Sequence, residues 1–269
     1  MTGIANVRGS WHKSKLLLAA AITLLVLITL GMHIADGNAL RIRFLKAPPD
    51  SIPADAALSR YAQSRGKSAY QEHCASCHGA RFQGDPRRSI PNLADSDWLY
   101  GSGRVSEIER IVMYGIRSGN SKGWDLASMP AYATQQPYKR YKVLPLLPHE
   151  IEDVTAFVLA FRKPPTDAAA VERGAQLFRG AEKGTCWDCH GEDARGDTAI
   201  GAPDLTDNSW LSGDGSPQSI HDSIAFGLAG SCPAWMSQLS PTTIRALAAY
   251  VHSLSAHTPA IASEPPANE

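Results

Sequence analysis

The apolar positions of this chain fall into one continuous block and several periodic stripes. The block is Leu16 to Ala35, twenty residues in which His33 is the only titratable side chain. It is long enough to cross a bilayer as a single helix. Arg8, Lys13 and Lys15 precede it and Asp36 follows, which places the N-terminus on the cytoplasmic side. A cleaved signal peptide would carry an apolar core of about 7–15 residues ending in a small-residue site. Gly31-Met32-His33-Ile34-Ala35-Asp36 is a poor site of that kind, so the block reads as an uncleaved anchor. The stripes have helical spacing. Ile151, Val154, Phe157, Val158 and Phe161 lie between Pro148 and Pro164-Pro165, and Ile244, Leu247, Ala248, Val251 and Leu254 follow Pro241. No strand-rich segment stands out, so the predicted class is all-α.

The pattern also repeats. Arg65-Gly66-Lys67-Ser68-Ala69-Tyr70 is echoed by Arg173-Gly174-Ala175-Gln176-Leu177-Phe178. Ile90-Pro91-Asn92-Leu93 with Trp98-Leu99 is echoed by Ala202-Pro203-Asp204-Leu205 with Trp210-Leu211. Trp98 and Trp210 are 112 positions apart, as are Cys74 and Cys186. A constant offset over that distance is a tandem duplication. The expected organisation is a cytoplasmic N-terminus over 1–15, the anchor over 16–35 and a linker over 36–57. A first domain then spans 58–163, a second 164–256, and a disordered tail rich in Ala, Pro and Glu occupies 257–269. The run Tyr138-Lys139-Arg140-Tyr141-Lys142 lies in an insertion confined to the first copy and reads as solvated surface.

Charge changes little: 26 basic and 26 acidic residues leave the chain neutral, so nothing points to nucleic acid. The five cysteines change everything. Cys74-Ala75-Ser76-Cys77-His78 and Cys186-Trp187-Asp188-Cys189-His190 each match C-x-x-C-H, the signature of c-type haem attachment. Two thiols at that spacing add to the two vinyl groups of the porphyrin, and the adjacent histidine becomes the proximal ligand of iron. A zinc site needs four ligands in one place, whereas these pairs stand far apart in sequence, each inside its own repeat. The expectation is two covalently bound haem c groups on Cys74, Cys77, Cys186 and Cys189, with His78 and His190 on the irons. Such haem is attached beyond the cytoplasmic membrane, so the domains are expected on the periplasmic side of a bacterial inner membrane.

The sixth ligand is where the copies differ. Ser128-Met129-Pro130-Ala131-Tyr132 offers Met129 to the first haem, and methionine in that position raises the potential. The matching string in the second copy is Ser231-Cys232-Pro233-Ala234-Trp235-Met236, which puts Cys232 where Met129 stands. Three readings stay open for the second iron: ligation by Cys232, ligation by Met236, or a five-coordinate haem. A further possibility is that the two copies exchange ligands.

The two stripes at the ends of the copies resemble the closing helix of class I cytochrome c, in which the first and last helices cross closely. On that resemblance Gly66 would meet Phe157, and Gly174 would meet Tyr250. From about Arg65 to Ser255 the chain resembles the dihaem subunit III of cbb-type haem-copper oxidases, most closely in Gly201 to Asp207, Pro233-Ala234-Trp235 and Leu247 to Val251. The resemblance implies a membrane-anchored electron-transfer subunit without catalysis of its own. It would take electrons from a donor cytochrome and pass them towards oxidase core subunits. Alternatives are a carrier for a periplasmic dehydrogenase or other reductase, and a haem-based redox or gas sensor.

Overall fold

The computed structural model describes residues 5–134 and 144–255, with side chains from residue 16 onward. The basic run at 138–142 and the tail at 257–269 lie outside the described residues. Helix α1, Ala5–Lys46, contains the apolar block. It meets the length and apolarity of a membrane span, and Leu16 to Ile34 present large apolar side chains outward on every side, Leu17 being 72% exposed. A helix apolar all round suits lipid rather than a soluble core. It continues beyond the apolar block, which ends at Ala35. Ala39, Leu40, Arg41, Arg43 and Leu45 are good helix formers, and the helix runs on to Lys46, just short of Pro48-Pro49. Half of the expected linker is therefore helix. A 3-10 turn at Pro49–Ala54 follows, and the last two residues of the expected linker already belong to the next helix.

The remaining elements form the haem-motif region. Helix α2 (Ala56–His73) starts where the Asp55 carboxylate accepts the Ala57 and Leu58 amides, an N-cap. Helix α3 (Ala75–His78) is the single turn carrying the first motif, and α4 (Val105–Tyr114) follows. Next come α5 (Pro148–Ala160), α6 (Ala168–Phe178), capped by Asp167 in the manner of α2, and α7 (Trp187–His190), which carries the second motif. Helices α8 (Pro217–Phe226) and α9 (Pro241–Ser255) complete the order. Only isolated bridges, and no strands, occur among the described residues.

How these helices pair corrects the sequence reading. Helix α2 packs on α9, which also covers α4; α5 packs on α6 and α8. Each lobe is thus built from parts of both repeats. The first lobe combines α2, α3 and α4 with α9. The second combines α6, α7 and α8 with α5. The close crossings follow suit. A Cβ on Gly66 would come within 2.4 Å of Ala246 O and Tyr250 Cβ, and one on Gly174 within 2.0 Å of Asp153 O and 2.9 Å of Phe157 Cβ. Gly66 therefore meets Tyr250, and Gly174 meets Phe157, the reverse of the expected pairs. The reason lies in the connection. Only residues 161–167 join α5 to α6, and so short a link favours antiparallel neighbours. Charge reinforces it: Asp153 of α5, 5% exposed, accepts two hydrogen bonds from the Arg173 guanidinium of α6 at 2.7 and 2.8 Å, a bidentate pair.

Candidate functional site

Each motif sits on a short turn closed by a glycine in the left-handed region, Gly79 (φ 80°) and Gly191 (φ 75°). The loop that follows is the same in both lobes. Gly84 N–H donates to His78 O at 2.9 Å and Gly196 N–H to His190 O at 2.8 Å. Leu93 N–H reaches Phe82 O, and Leu205 N–H reaches Ala194 O, both at 2.8 Å. This folding back brings Pro91 O to 3.1 Å from His78 Nδ1 and Pro203 O to 3.0 Å from His190 Nδ1, thirteen residues on in each case. A carbonyl only accepts, so Nδ1 carries the proton and Nε2 keeps its lone pair for a metal. Burial pushes both imidazoles below the ordinary histidine range, against the opposing pull of those carbonyl hydrogen bonds. Both rings are therefore held neutral, the form that ligates iron. Sequence reasoning saw Pro91 and Pro203 as part of the repeat but missed this task. Their equal spacing from the two histidines was the available signal.

Burial also pushes the Cys74 and Cys186 thiols up to about 12, and all five cysteines are free of disulfides. In the second lobe Tyr132, 6% exposed, belongs to the core on which Cys186 packs.

The sulfur residues expected on the far side of each haem are crossed between repeats. Met129 N–H donates to Leu228 O at 3.0 Å and Leu228 N–H to Met129 O at 3.2 Å, so Met129 is bound to the end of α8. Its side chain packs on the core that also receives Cys186, Phe178 and Ile224. Ile116, just past α4, makes the same exchange with Cys232, both bonds at 2.9 Å, and the Cys232 thiol lies within electrostatic range of Cys74 and Cys77. Met129 therefore stands in the lobe of His190, and Cys232 with Met236 in the lobe of His78. The structure thus sets Met129 beside the second motif rather than the first, the placement an exchange of ligands between the copies would need. The donor sets, two thiols and a neutral imidazole per lobe with a further sulfur residue nearby, fit haem c.

The lobes meet through equivalent loops. Ser212 and Ser89 hydroxyls are 2.7 Å apart. Gly213 N–H donates to Pro86 O at 3.1 Å and Gly101 N–H to Thr198 O at 3.0 Å. Trp124 Nε1 donates to Ala199 O at 2.8 Å. Within the second lobe, the Arg162 guanidinium at the end of α5 lies 4.2 Å from the Trp210 ring centre and donates to the Leu205 and Asp207 carbonyls. This clamp was not foreseen.

Four carboxylates gather at the junction. Loss of hydration pushes Asp97 up to about 6 from 3.8, with repulsion from Asp207, Asp95 and Asp204 adding to it. A raised carboxyl makes the folded state bind the proton more tightly than the unfolded one. Stability from this group is present below the unfolded value near 4 and lost as pH rises through about 6. Asp97→Asn should therefore raise the melting temperature at pH 7 and leave it nearly unchanged at pH 4. Equal gains at both pH values would show that the Asp97 carboxyl is not raised in the folded protein.

Comparison with known proteins bears on the same two regions. A cytochrome c family model matches residues 63–161, and the model for cytochrome c oxidase, cbb3-type, subunit III matches residues 169–251. The cbb3-type cytochrome c oxidase subunit FixP of Bradyrhizobium sp. (strain ORS 278) is 39% identical over 76% of this chain and 64% of its own length. Subunit CcoP of Azospirillum brasilense is 34% identical over 82% of this chain and 73% of its own. Subunit CcoP of Rhodobacter capsulatus is 37% identical over 76% of this chain and 66% of its own. The chain belongs to the cbb3-type subunit III family. Family membership brings two covalently bound haem c groups and an apolar N-terminal anchor in the membrane. The match spans under two thirds of the length of the Bradyrhizobium relative. The oxidase-subunit model falls on the second repeat, where the sequence resemblance was also strongest.

Proposed function

We propose that this chain is the electron-transfer subunit of a cbb3-type oxidase. It receives electrons one at a time from a donor cytochrome and passes them towards the haem-copper core. The observation that carries this reading is the pair of C-x-x-C-H lobes docked on each other in a chain with a membrane anchor, matched to relatives named as oxidase subunits. Cys74, Cys77, Cys186 and Cys189 attach the two groups, His78 and His190 ligate them, and Met129 completes the set at His190. Bound haem supplies a ferric/ferrous couple whose potential the axial ligands tune. The chain's own residues do the rest. Pro91 and Pro203 aim the imidazoles, the terminal helices exclude water, and the junction loops hold the two centres at a fixed separation. The anchor lies in the bacterial inner membrane with its basic N-terminus in the cytoplasm and the lobes on the periplasmic side, as the cations before the span favour.

The test is oxygen uptake driven by reduced cytochrome c in membranes containing the oxidase core, with and without this chain. Loss of most uptake without the chain, restored by adding it back, is expected. Unchanged uptake would defeat the reading and favour a carrier for a dehydrogenase or another reductase.

A further inference from the structure

We infer that Cys232 is the sixth ligand of the haem held by His78, making it a thiolate-ligated, low-potential centre beside a higher-potential, Met129-ligated centre on His190. This rests on the dihaem reading above. Three observations about the chain's own residues carry it.

The first is position. Ile116 and Cys232 exchange both backbone hydrogen bonds, as Leu228 and Met129 do in the other lobe. The approach is equally close in the two places: a Cβ on Gly115 would come 2.4 Å from Cys232 O, and one on Gly227 2.5 Å from Met129 O. The Cys232 sulfur thus hangs from the same point of its lobe's frame as the Met129 sulfur does in the other. The second is proximity. Trp235, three residues on, lies with its ring 5.5 Å from that of His73, the residue before Cys74, so the Cys232 segment runs beside the first motif. The third concerns the rival. Met236 is tied by its backbone N–H to Met113 O at 3.2 Å, its Sδ accepts from Asn120 Nδ2 at 3.8 Å, and its side chain is 48% exposed. It lies beside the last turn of α4, about half exposed, and has no counterpart at the Met129 position.

Ligation transfers no electron. The thiol releases its proton to solvent as its sulfur bonds ferric iron, and reduction then takes one electron from the donor cytochrome. Thiolate is a strong donor to iron and favours the ferric state, whereas methionine raises the potential. At equilibrium an electron shared by the two centres resides on the His190 side, so transfer from the His78 lobe to the His190 lobe runs downhill.

The test uses the full chain purified from membranes. Covalent haem c is counted by pyridine haemochrome. Low-temperature EPR and a redox titration follow for the parent, Cys232→Ala, Cys232→Met and Met236→Leu. Two haems are expected in each protein. The parent should show a thiolate-type low-spin signal, which Met236→Leu keeps and both Cys232 variants lose. In Cys232→Met the lower wave of the titration should move up towards the other. The signal should survive replacement of Cys186 and Cys189 by alanine and vanish on replacement of Cys74 and Cys77. Absence of a thiolate signal from a two-haem parent would overturn this inference alone, as would a first haem altered by Met236→Leu but not by Cys232→Ala. Fewer than two covalent haems in the parent would overturn the electron-transfer reading and this inference with it. Cys232→Met restores the Met-Pro pair found at Met129-Pro130, and so separates loss of a ligand from loss of the fold.

Discussion

Met129→Ala is expected to strip the sixth ligand from the haem on His190 and leave the haem on His78 untouched. Met129 lies in the same repeat as Cys74, Cys77 and His78, so a reading by repeats puts the loss on the other iron. The structure joins Met129 to Leu228 by two backbone hydrogen bonds and packs it with Cys186 and Phe178. Single-haem backgrounds separate the two cases. With Cys74 and Cys77 replaced by alanine, only the His190 haem remains. Met129→Ala should then abolish the far-red sulfur–iron band, open the reduced iron to carbon monoxide and lower the potential substantially, since axial ligands move haem potentials across about 0.8 V. With Cys186 and Cys189 replaced instead, the same substitution should change neither spectrum nor potential. The reverse pattern would mean that the ligands stay within their own repeats.

The largest stability effects are expected where helices cross with no room for a side chain. Gly66→Val forces a Cβ to within 2.4 Å of Ala246 O and Tyr250 Cβ. The first of these is backbone and cannot rotate away, so α2 and α9 must separate. Overpacking of this kind costs about 1–3 kcal/mol and occasionally more, against a typical domain stability of roughly 5–15 kcal/mol. The damage should fall on the lobe of His78, which α2 and α9 close. A thermal melt read at each haem's own absorption, in the single-haem backgrounds, is the measurement. Gly66→Val should lower the transition of the His78 haem far more than that of the His190 haem, and Gly174→Val should do the opposite. If instead Gly66→Val chiefly unsettles the His190 lobe, helix α2 pairs with α5 and the exchanged arrangement is wrong.

The parts of this protein that depend on local chemistry were legible in the chain. An unbroken apolar block needs no partner to declare itself, because its solvent is lipid. C-x-x-C-H carries its chemistry within five consecutive residues, and a constant offset between two such motifs reveals a duplication wherever the copies lie. The helical stripes read correctly as core from Ile151 to Val158 and from Ile244 to Val251, while Phe161 stays 37% exposed; period and bounding prolines are local properties. The loss of apolar character after Ala35 and the end of helix α1 at Lys46 are separate events. Composition governs the first of these, whereas backbone propensity and the absence of proline govern the second.

What no stretch of sequence could state is which copy completes which lobe. After a duplication, Gly66 and Gly174 offer nearly the same groove, and Phe157 and Tyr250 nearly the same ridge, so either assignment satisfies the pattern. The choice is made by three-dimensional factors. The short 161–167 connection holds α5 against α6, the Asp153–Arg173 pair fastens it there, and α9 is left to close the first lobe. With those helices travel the ligand loops, so tertiary structure alone brings Met129 to His190 and Cys232 to His78. Sequence decided that there are two C-x-x-C-H motifs and that the sulfur residue before the Pro-Ala pair differs between the copies. Packing decided which motif each sulfur residue stands beside, because duplicated surfaces are locally degenerate and only the path of the chain between them is not.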